Sequence, residues 1–162
     1  MAFTSVYFSL GSNLGQREAN LEKALDLMEK AFGGRAKAIS RFIDTPPWGK
    51  GVKGRFLNCC ALFRIPRVKD DPAEDCTDIL AKCKEIERKM GRREEIEYDG
   101  KGSRVYHDRP IDIDILFYGT EIIDTEILKV PHPLIAQRDF VLIPLREIAK
   151  PSLRAAFPEL FD

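Results

Sequence analysis

The 162-residue chain has no surplus of charge: 26 Lys and Arg offset 26 Asp and Glu. A protein that grips nucleic acid by its phosphates needs a basic excess, so the balance speaks against that partner. No apolar run nears the roughly 18 residues of a membrane-spanning helix; the longest pieces, such as Ile115-Leu116-Phe117-Tyr118, are strand-sized. The opening Met-Ala-Phe-Thr-Ser lacks the basic stretch and apolar core of a secretory leader. A cytoplasmic protein with no membrane contact is expected. Cysteine is scarce, with four in all, none in a C-x-x-C pair and neither His at zinc-finger spacing. Reduced, buried thiols acting as small apolar residues are the expectation. There is no P-loop. Gly49-x-Gly51-x-x-Gly54 has the letters of a dinucleotide fingerprint, but it follows Pro46-Pro47-Trp48 and leads into a strand, so the strand–turn–helix setting is missing.

At about 100–200 residues per domain, residues 1–162 read as one domain. Val6 to Leu10 predicts a strand, ended by Gly11-Ser12-Asn13-Leu14-Gly15. Leu21, Ala24, Leu25, Met28 and Phe32 mark one face of a helix closed by Gly33-Gly34. An extended stretch from 36 to 44, a Pro/Gly loop and a strand from Phe56 to Ile65 follow. Asp71, Pro72 and Glu74 then form a helix-start signal, ahead of a stripe of Cys76, Ile79, Leu80, Cys83, Ile86 and Met90 ending at Gly91. Residues 92–109 show no periodicity. Ile111 to Tyr118 predicts a strand turning at Gly119-Thr120 into a hairpin partner at 121–123, and a short helical piece spans about Leu142 to Ala149. The order strand–helix–strand–strand–helix–strand predicts an α+β fold, with helices packed on a mostly antiparallel sheet.

The sharpest motif is Arg109-Pro110-Ile111-Asp112-Ile113-Asp114-Ile115. Residues two apart in a strand share a face, so Asp112 and Asp114 project together about 6–7 Å apart while the isoleucines enter the core. Two adjacent carboxylates suit a hard cation such as magnesium, which takes one or two carboxylates and completes its shell with water and phosphate oxygens. The same pattern also describes an amphipathic strand with two solvated aspartates, and D-x-D alone does not separate the two. Phe56 and Asn58 share a face of their strand: an aromatic surface beside a carboxamide suits a planar ring with an amide-like edge. Gly11 offers close backbone approach, and Thr45-Pro46-Pro47 a stiff extended segment. A tight turn, a stiffened loop and a core Phe beside a capped Asn are the plainer readings of these residues. A ferredoxin-like nucleotide- or RNA-binding module and a D-x-D glycosyl- or nucleotidyltransferase are competing classes; the neutral charge opposes the first and the short chain the second.

Gly11-Ser12-Asn13-Leu14, Thr45-Pro46-Pro47, Phe56-Leu57-Asn58, Glu87 with Gly91-Arg92, Arg109-x-x-Asp112-x-Asp114, Val130-Pro131-His132 and Arg138-x-Phe140 occur in this order. Together they resemble the 6-hydroxymethyl-7,8-dihydropterin pyrophosphokinases of folate biosynthesis, over residues 6 to 148. The resemblance implies a ferredoxin-like core and transfer of pyrophosphate from ATP to the hydroxymethyl group of the pterin, releasing AMP, in a monomer. It implies two Mg2+ on Asp112 and Asp114, with Arg92 and Arg109 also catalytic. It implies ATP along Glu87, Arg92, Arg109, Ile115, His132 and Arg138, with His132 a contact and not the general base. It implies the pterin between Phe56 and Phe140, read by Asn58 with Gly11, Thr45, Pro46 and Pro47 assisting. The chain departs from the family pattern in its loop. Glu94 stands where a second arginine is common, with Arg93 adjacent. Tyr106-His107-Asp108 replaces Trp-Gly-Pro, the 92–109 segment is longer, and Ile127 holds an often basic position near Lys129.

Overall fold

Strand β1, Phe3–Ser12, runs between β4, Phe56–Pro66, and β7, Asp112–Tyr118, antiparallel to both. The computed structural model describes residues 2–47, 51–92 and 97–161. β2, Ala38–Ile39, and β3, Ile43–Thr45, both pair with β4 on its far side. The order β2-β4-β1-β7, with helices after β1 and β4, is the ferredoxin-like α+β arrangement.

The alternation of β1 divides the interior in two. Val6, Phe8 and Leu10 face helices α1, Arg17–Phe32, and α2, Pro72–Lys89, forming one core with Cys59, Ala61 and Phe63 of β4 and Ile113 and Ile115 of β7. Tyr7, Cys60 and Leu62 face the other way, onto Val141, Leu142 and Leu145 of α3, Asp139–Ile148. Between Tyr7 and Phe8 the register slips, with Tyr7 opposite Phe117 and Phe8 opposite Ile115. Leu116 is the extra residue, so Leu116 and Phe117 both enter the second core and Tyr118 returns to the first. All four cysteines are free and buried, Cys59 and Cys60 in opposite cores. Burial pushes the Cys59 and Cys76 thiols up to about 12, so neither is a nucleophile.

Both long helices start and stop where expected. Asp71 caps α2 by accepting the Ala73 N–H at 3.2 Å, Pro72 takes the first position, and Gly91 follows with φ 91°. Leu80 and Met90, assigned to the buried stripe, are only half-buried. Four expectations are corrected. The stretch 36–44 is two short strands broken at Ser40, whose hydroxyl accepts the Cys60 N–H. The unpatterned 92–109 segment contains a hairpin, β5 Glu97–Tyr98 with β6 Arg104–Val105, turned by Asp99, which accepts the N–H groups of Lys101 and Ser103. Two-residue strands carry no periodicity. Residues 121–123 do not pair with β7: β8, Ile123–Asp124, pairs with β9, Lys129–Val130, and the chain returns to β7 at His132, whose N–H donates to the Leu116 carbonyl at 3.0 Å. The C-terminal helix begins earlier than expected, at Asp139, and α4, Pro151–Ala156, and α5, Pro158–Phe161, follow, each starting on a proline.

Asp75, near the start of α2 and 4% exposed, ties three segments together. It accepts the Tyr118 hydroxyl at 2.7 Å and the N–H groups of Val68 and Lys69 at 3.1 and 3.0 Å. Burial raises its carboxyl, but these donors outweigh it and the net shift is downward. Asp75→Ala strands all three donors and lowers stability by about 1–3 kcal/mol at pH 7. A depressed carboxylate stabilises above its unfolded pKa and loses that contribution as pH falls through its folded pKa. The gap between wild type and variant in denaturant melts therefore narrows below about pH 4.

Candidate active site

Helix α3 covers only part of the second sheet face, and the remainder is the floor of a cleft of ≈ 400 Å³. Most of its strand residues share one parity: Ser9 and Gly11 of β1, Phe56 and Asn58 of β4, Asp112 and Asp114 of β7, with Ile113 of the opposite parity at its β7 edge. Gly11 stands opposite Asn58 on one side and Asp112 on the other, so one row crosses three strands. A Cβ on Gly11 would lie 2.8 Å from Asn58 Oδ1 and 3.3 Å from Phe56 Cδ1, which is why this position is bare. Asn58 Nδ2 donates to Thr45 Oγ1 at 2.7 Å, fixing the orientation of the amide.

At the β7 end the carboxylate pair is ringed by guanidinium groups. Arg92 Nη1 donates to Glu87 Oε2 and Asp112 Oδ1, both at 2.7 Å, and to the Ile111 carbonyl at 3.3 Å. Arg109 Nη2 donates to Asp112 Oδ2 at 3.3 Å, and Arg138 Nη1 lies 3.9 Å from Asp114 Oδ2. Glu87, 4% exposed, also accepts the Ile113 N–H at 2.8 Å, which joins α2 to the strand carrying both aspartates.

The two carboxyls are held in different states. Burial pushes Asp112 up, but Arg109 and Arg92 overcome it and keep it ionised. Asp114 is raised to about 7 by burial and by the neighbouring Asp112 charge, against the pull of Arg138. His132 is lowered to about 4 by burial and Arg138, so it is neutral at pH 7. Its Nδ1 accepts the Leu134 N–H at 3.2 Å, leaving the proton on Nε2. Arg109 Nε is buried with no hydrogen-bond partner among the described residues, a donor that an anionic ligand would satisfy. At the other end, the Arg109 guanidinium sits 5.2 Å over the Phe56 ring and that of Arg138 5.6 Å over Phe140.

Gly11, Phe56, Asn58, Glu87, Arg92, Arg109, Asp112, Asp114, His132, Arg138 and Phe140 all line this one cleft. Thr45 stands behind Asn58, while Pro46 and Pro47, just past β3, are not among the lining residues. The Ile115 side chain is buried in the core shared with α1 and α2 and is not among the residues that line the cleft. Lys129 does not line the cleft and is paired with Asp124. Trp48, Gly49, Arg93 and Glu94 lie outside the described residues. Residue spacing did not single out Ser9, Lys84, Arg104 and Tyr106, which also line the cleft. Ser9 and Lys84 were signalled by their offsets of two from Gly11 on a strand and three from Glu87 on a helix; the hairpin residues carried no such signal.

The model of the 7,8-dihydro-6-hydroxymethylpterin-pyrophosphokinase (HPPK) family matches residues 7–150. The chain belongs to this family. HPPK membership makes it a pyrophosphokinase, a transferase of folate biosynthesis. A 2-amino-4-hydroxy-6-hydroxymethyldihydropteridine pyrophosphokinase of Porphyromonas gingivalis is 41% identical over 145 residues, covering 89% of this chain and 90% of that one. The protein of the same name from Aquifex aeolicus is 35% identical, covering 89% and 79%. The mitochondrial folate synthesis bifunctional protein of Pisum sativum is 37% identical over 88% of this chain, which spans 25% of its length. A solved structure described as HPPK-DHPS in complex with substrates superposes with a TM-score of 0.64 over 98% of this chain and 43% of that one. At 15% identity it supports the fold alone.

Two outcomes follow from this HPPK cleft. Asp114 binds its proton more tightly folded than unfolded, so the folded state loses stability as pH rises from about 4 through about 7. Asp114→Asn removes that penalty: its melting temperature exceeds that of wild type at pH 8, by about 2–4 °C per kcal/mol relieved, and matches it near pH 4. Gly11→Ala drives a methyl into Asn58 and Phe56. In calorimetric titrations it weakens binding of the ring-bearing substrate by about tenfold or more, the equivalent of 1.4 kcal/mol, with ATP-analogue binding little changed.

Proposed function

We propose that the chain transfers the β,γ-pyrophosphoryl group of ATP to the hydroxymethyl oxygen of 6-hydroxymethyl-7,8-dihydropterin, with magnesium, releasing AMP. One observation carries this reading: a single open sheet face holds an arginine-ringed carboxylate pair at one end and an aromatic–carboxamide slot at the other. The first suits a polyphosphate with its cations, the second a flat ring with an amide edge.

Asp112 and Asp114 fit such cations. Among the described residues no group of three acidic, His or Cys side chains could hold a metal. A pair without a third ligand suits Mg2+ that arrives on a nucleotide and keeps water and phosphate oxygens in its shell. When bound, two such ions would neutralise phosphate charge and make the attacking hydroxyl more acidic.

The chain's own residues orient the two substrates. Phe56 and Phe140 hold the ring between them, and Asn58, locked by Thr45, reads its edge beside the bare backbone of Gly11, with Pro46 and Pro47 stiffening the approach. Arg109 and Arg138 extend from over those rings to the carboxylates, so each spans from ring to phosphate. His132, neutral, donates from Nε2 to the nucleotide and takes no proton from the hydroxyl. Glu87 acts mainly by holding Arg92 against Asp112, and any part of Ile115 in nucleotide binding falls to its main chain. The new bond joins the hydroxymethyl oxygen to Pβ, the bond from Pβ to the α,β-bridging oxygen breaks with its electron pair left on AMP, and the hydroxyl proton passes to water.

The test is to mix the protein with ATP, magnesium and the pterin and separate the nucleotides. AMP is expected in step with pterin pyrophosphate; ADP in its place, or no turnover, overturns the reading. Asp112→Ala and Asp114→Ala are expected to lower kcat by at least about 10²-fold, the scale for removing one charge-stabilising group.

A further inference from the structure

Asp108 precedes Arg109 and does not line the cleft, yet three donors converge on its Oδ1. Asn13 Nδ2 donates at 2.8 Å, the Lys53 N–H at 2.9 Å and the Gly54 N–H at 3.2 Å. The donors come from two segments far apart in sequence: the turn after β1 and the loop that leads into Phe56. Asn13, 6% exposed, completes the junction. Its N–H donates to the Arg109 carbonyl at 3.1 Å, its Oδ1 accepts the Arg109 N–H at 2.7 Å, and its Nδ2 also reaches the Gly54 carbonyl at 3.2 Å.

Close backbone packing accompanies these bonds. A Cβ on Gly54 would lie 2.5 Å from the Asn13 carbonyl oxygen, and one on Gly51 would strike the Tyr106 carbonyl. The 51–54 loop therefore lies directly on both partner segments. Charge-assisted bonds from two consecutive amides and a carboxamide are strong for their size. They also hold the Asp108 carboxyl below the usual carboxylate range, against the upward push of burial.

The consequence reaches the cleft through one peptide bond. With the backbone of Arg109 pinned by Asn13, its guanidinium is delivered 5.2 Å over the Phe56 ring and onto Asp112. The other end of the same clasp, Gly54, stands two residues before Phe56. The Phe56 wall of the aromatic slot and the guanidinium set over it thus depend on one carboxylate oxygen.

We propose that Asp108 is a positioning residue: by clasping the 51–54 loop to the Asn13 turn, it pre-assembles the Phe56 wall of the slot with the Arg109 guanidinium over it and so sets the affinity for the ring-bearing substrate. The identity of that ring as a pterin rests on the function proposed above. The nucleotide end is held in addition by Arg92 with Glu87 and Arg138 with Asp114, so loss of the clasp weakens the ring end more than the nucleotide end, which Arg109 also reaches.

The test combines residue-resolved amide exchange with steady-state kinetics on Asp108→Ala and Asp108→Asn. In Asp108→Ala the Lys53, Gly54 and Arg109 amides exchange at least tenfold faster while those of α1 and β1 are unchanged. The pterin KM rises about tenfold, with a smaller rise in the ATP KM. Asp108→Asn keeps an acceptor oxygen in place and retains most of the protection and most of the pterin affinity. Unchanged exchange at Lys53 and Gly54 overturns the clasp. A pterin KM that moves no more than the ATP KM overturns its effect on affinity. If wild type itself forms no AMP, the proposed reaction falls, while the exchange rates still decide the clasp.

Discussion

Every part of the cleft depends on the antiparallel register of β1 between β4 and β7. That register sets Gly11 between Asn58 and Asp112, and Ser9 between Cys60 and Asp114. Because side chains alternate, one register choice puts the carboxylates, the carboxamide and the Phe56 ring on the same side of the sheet. A slip of one residue would send Asp112 and Asp114 into the core that α1 and α2 cover. Burial of Val6, Phe8, Leu10, Ile113 and Ile115 under those helices is what forbids the slip. The apolar face thereby specifies the polar one.

The cleft concentrates charge that the fold alone would not select. Arg109 and Arg92 keep Asp112 ionised, whereas burial raises Glu87 despite Arg92, and Asp114, with the Arg138 guanidinium at 3.9 Å, holds its proton up to about neutrality. A carboxyl in that state accommodates an incoming cation by releasing its proton, so the energetic deficit sits at the position where a ligand would relieve it. Asp75, 4% exposed against 31% for the Asp114 side chain, is nonetheless stabilising because three donors meet it. The partners a carboxylate meets, more than its burial, separate the structural one from the functional one.

The 92–109 segment shows how a site can be assembled from pieces that have no local signature. Its hairpin strands are two residues long, and its anchoring to the body runs through Asp108 and Asn13, which are 95 positions apart in the chain. Arg104 and Tyr106 reach the cleft because this hairpin stands beside the sheet, with the Arg104 guanidinium 5.1 Å over the Tyr106 ring.

The chain's local patterns determined a good deal by themselves. Period-two alternation at 112–115 placed both aspartates on one face, and period 3.6 in α1 and α2 marked their buried stripes. Asp71-Pro72 and the two glycine stops bounded the helices, since caps and proline act within one turn of the residue that carries them. The ordered motifs were specific enough to indicate the family. Tertiary structure alone decided the rest. Whether 121–123 paired with β7 or with 129–130 turned on competition between two partners. The direction of Leu116 turned on a bulge against a neighbouring strand, and the ionisation of Asp114 on charges contributed by distant segments. Ile115 follows the same logic in reverse, being adjacent in sequence to a site residue and on the opposite face of the sheet from it. Such features arise from contacts between residues far apart in the chain, and local periodicity carries no record of them.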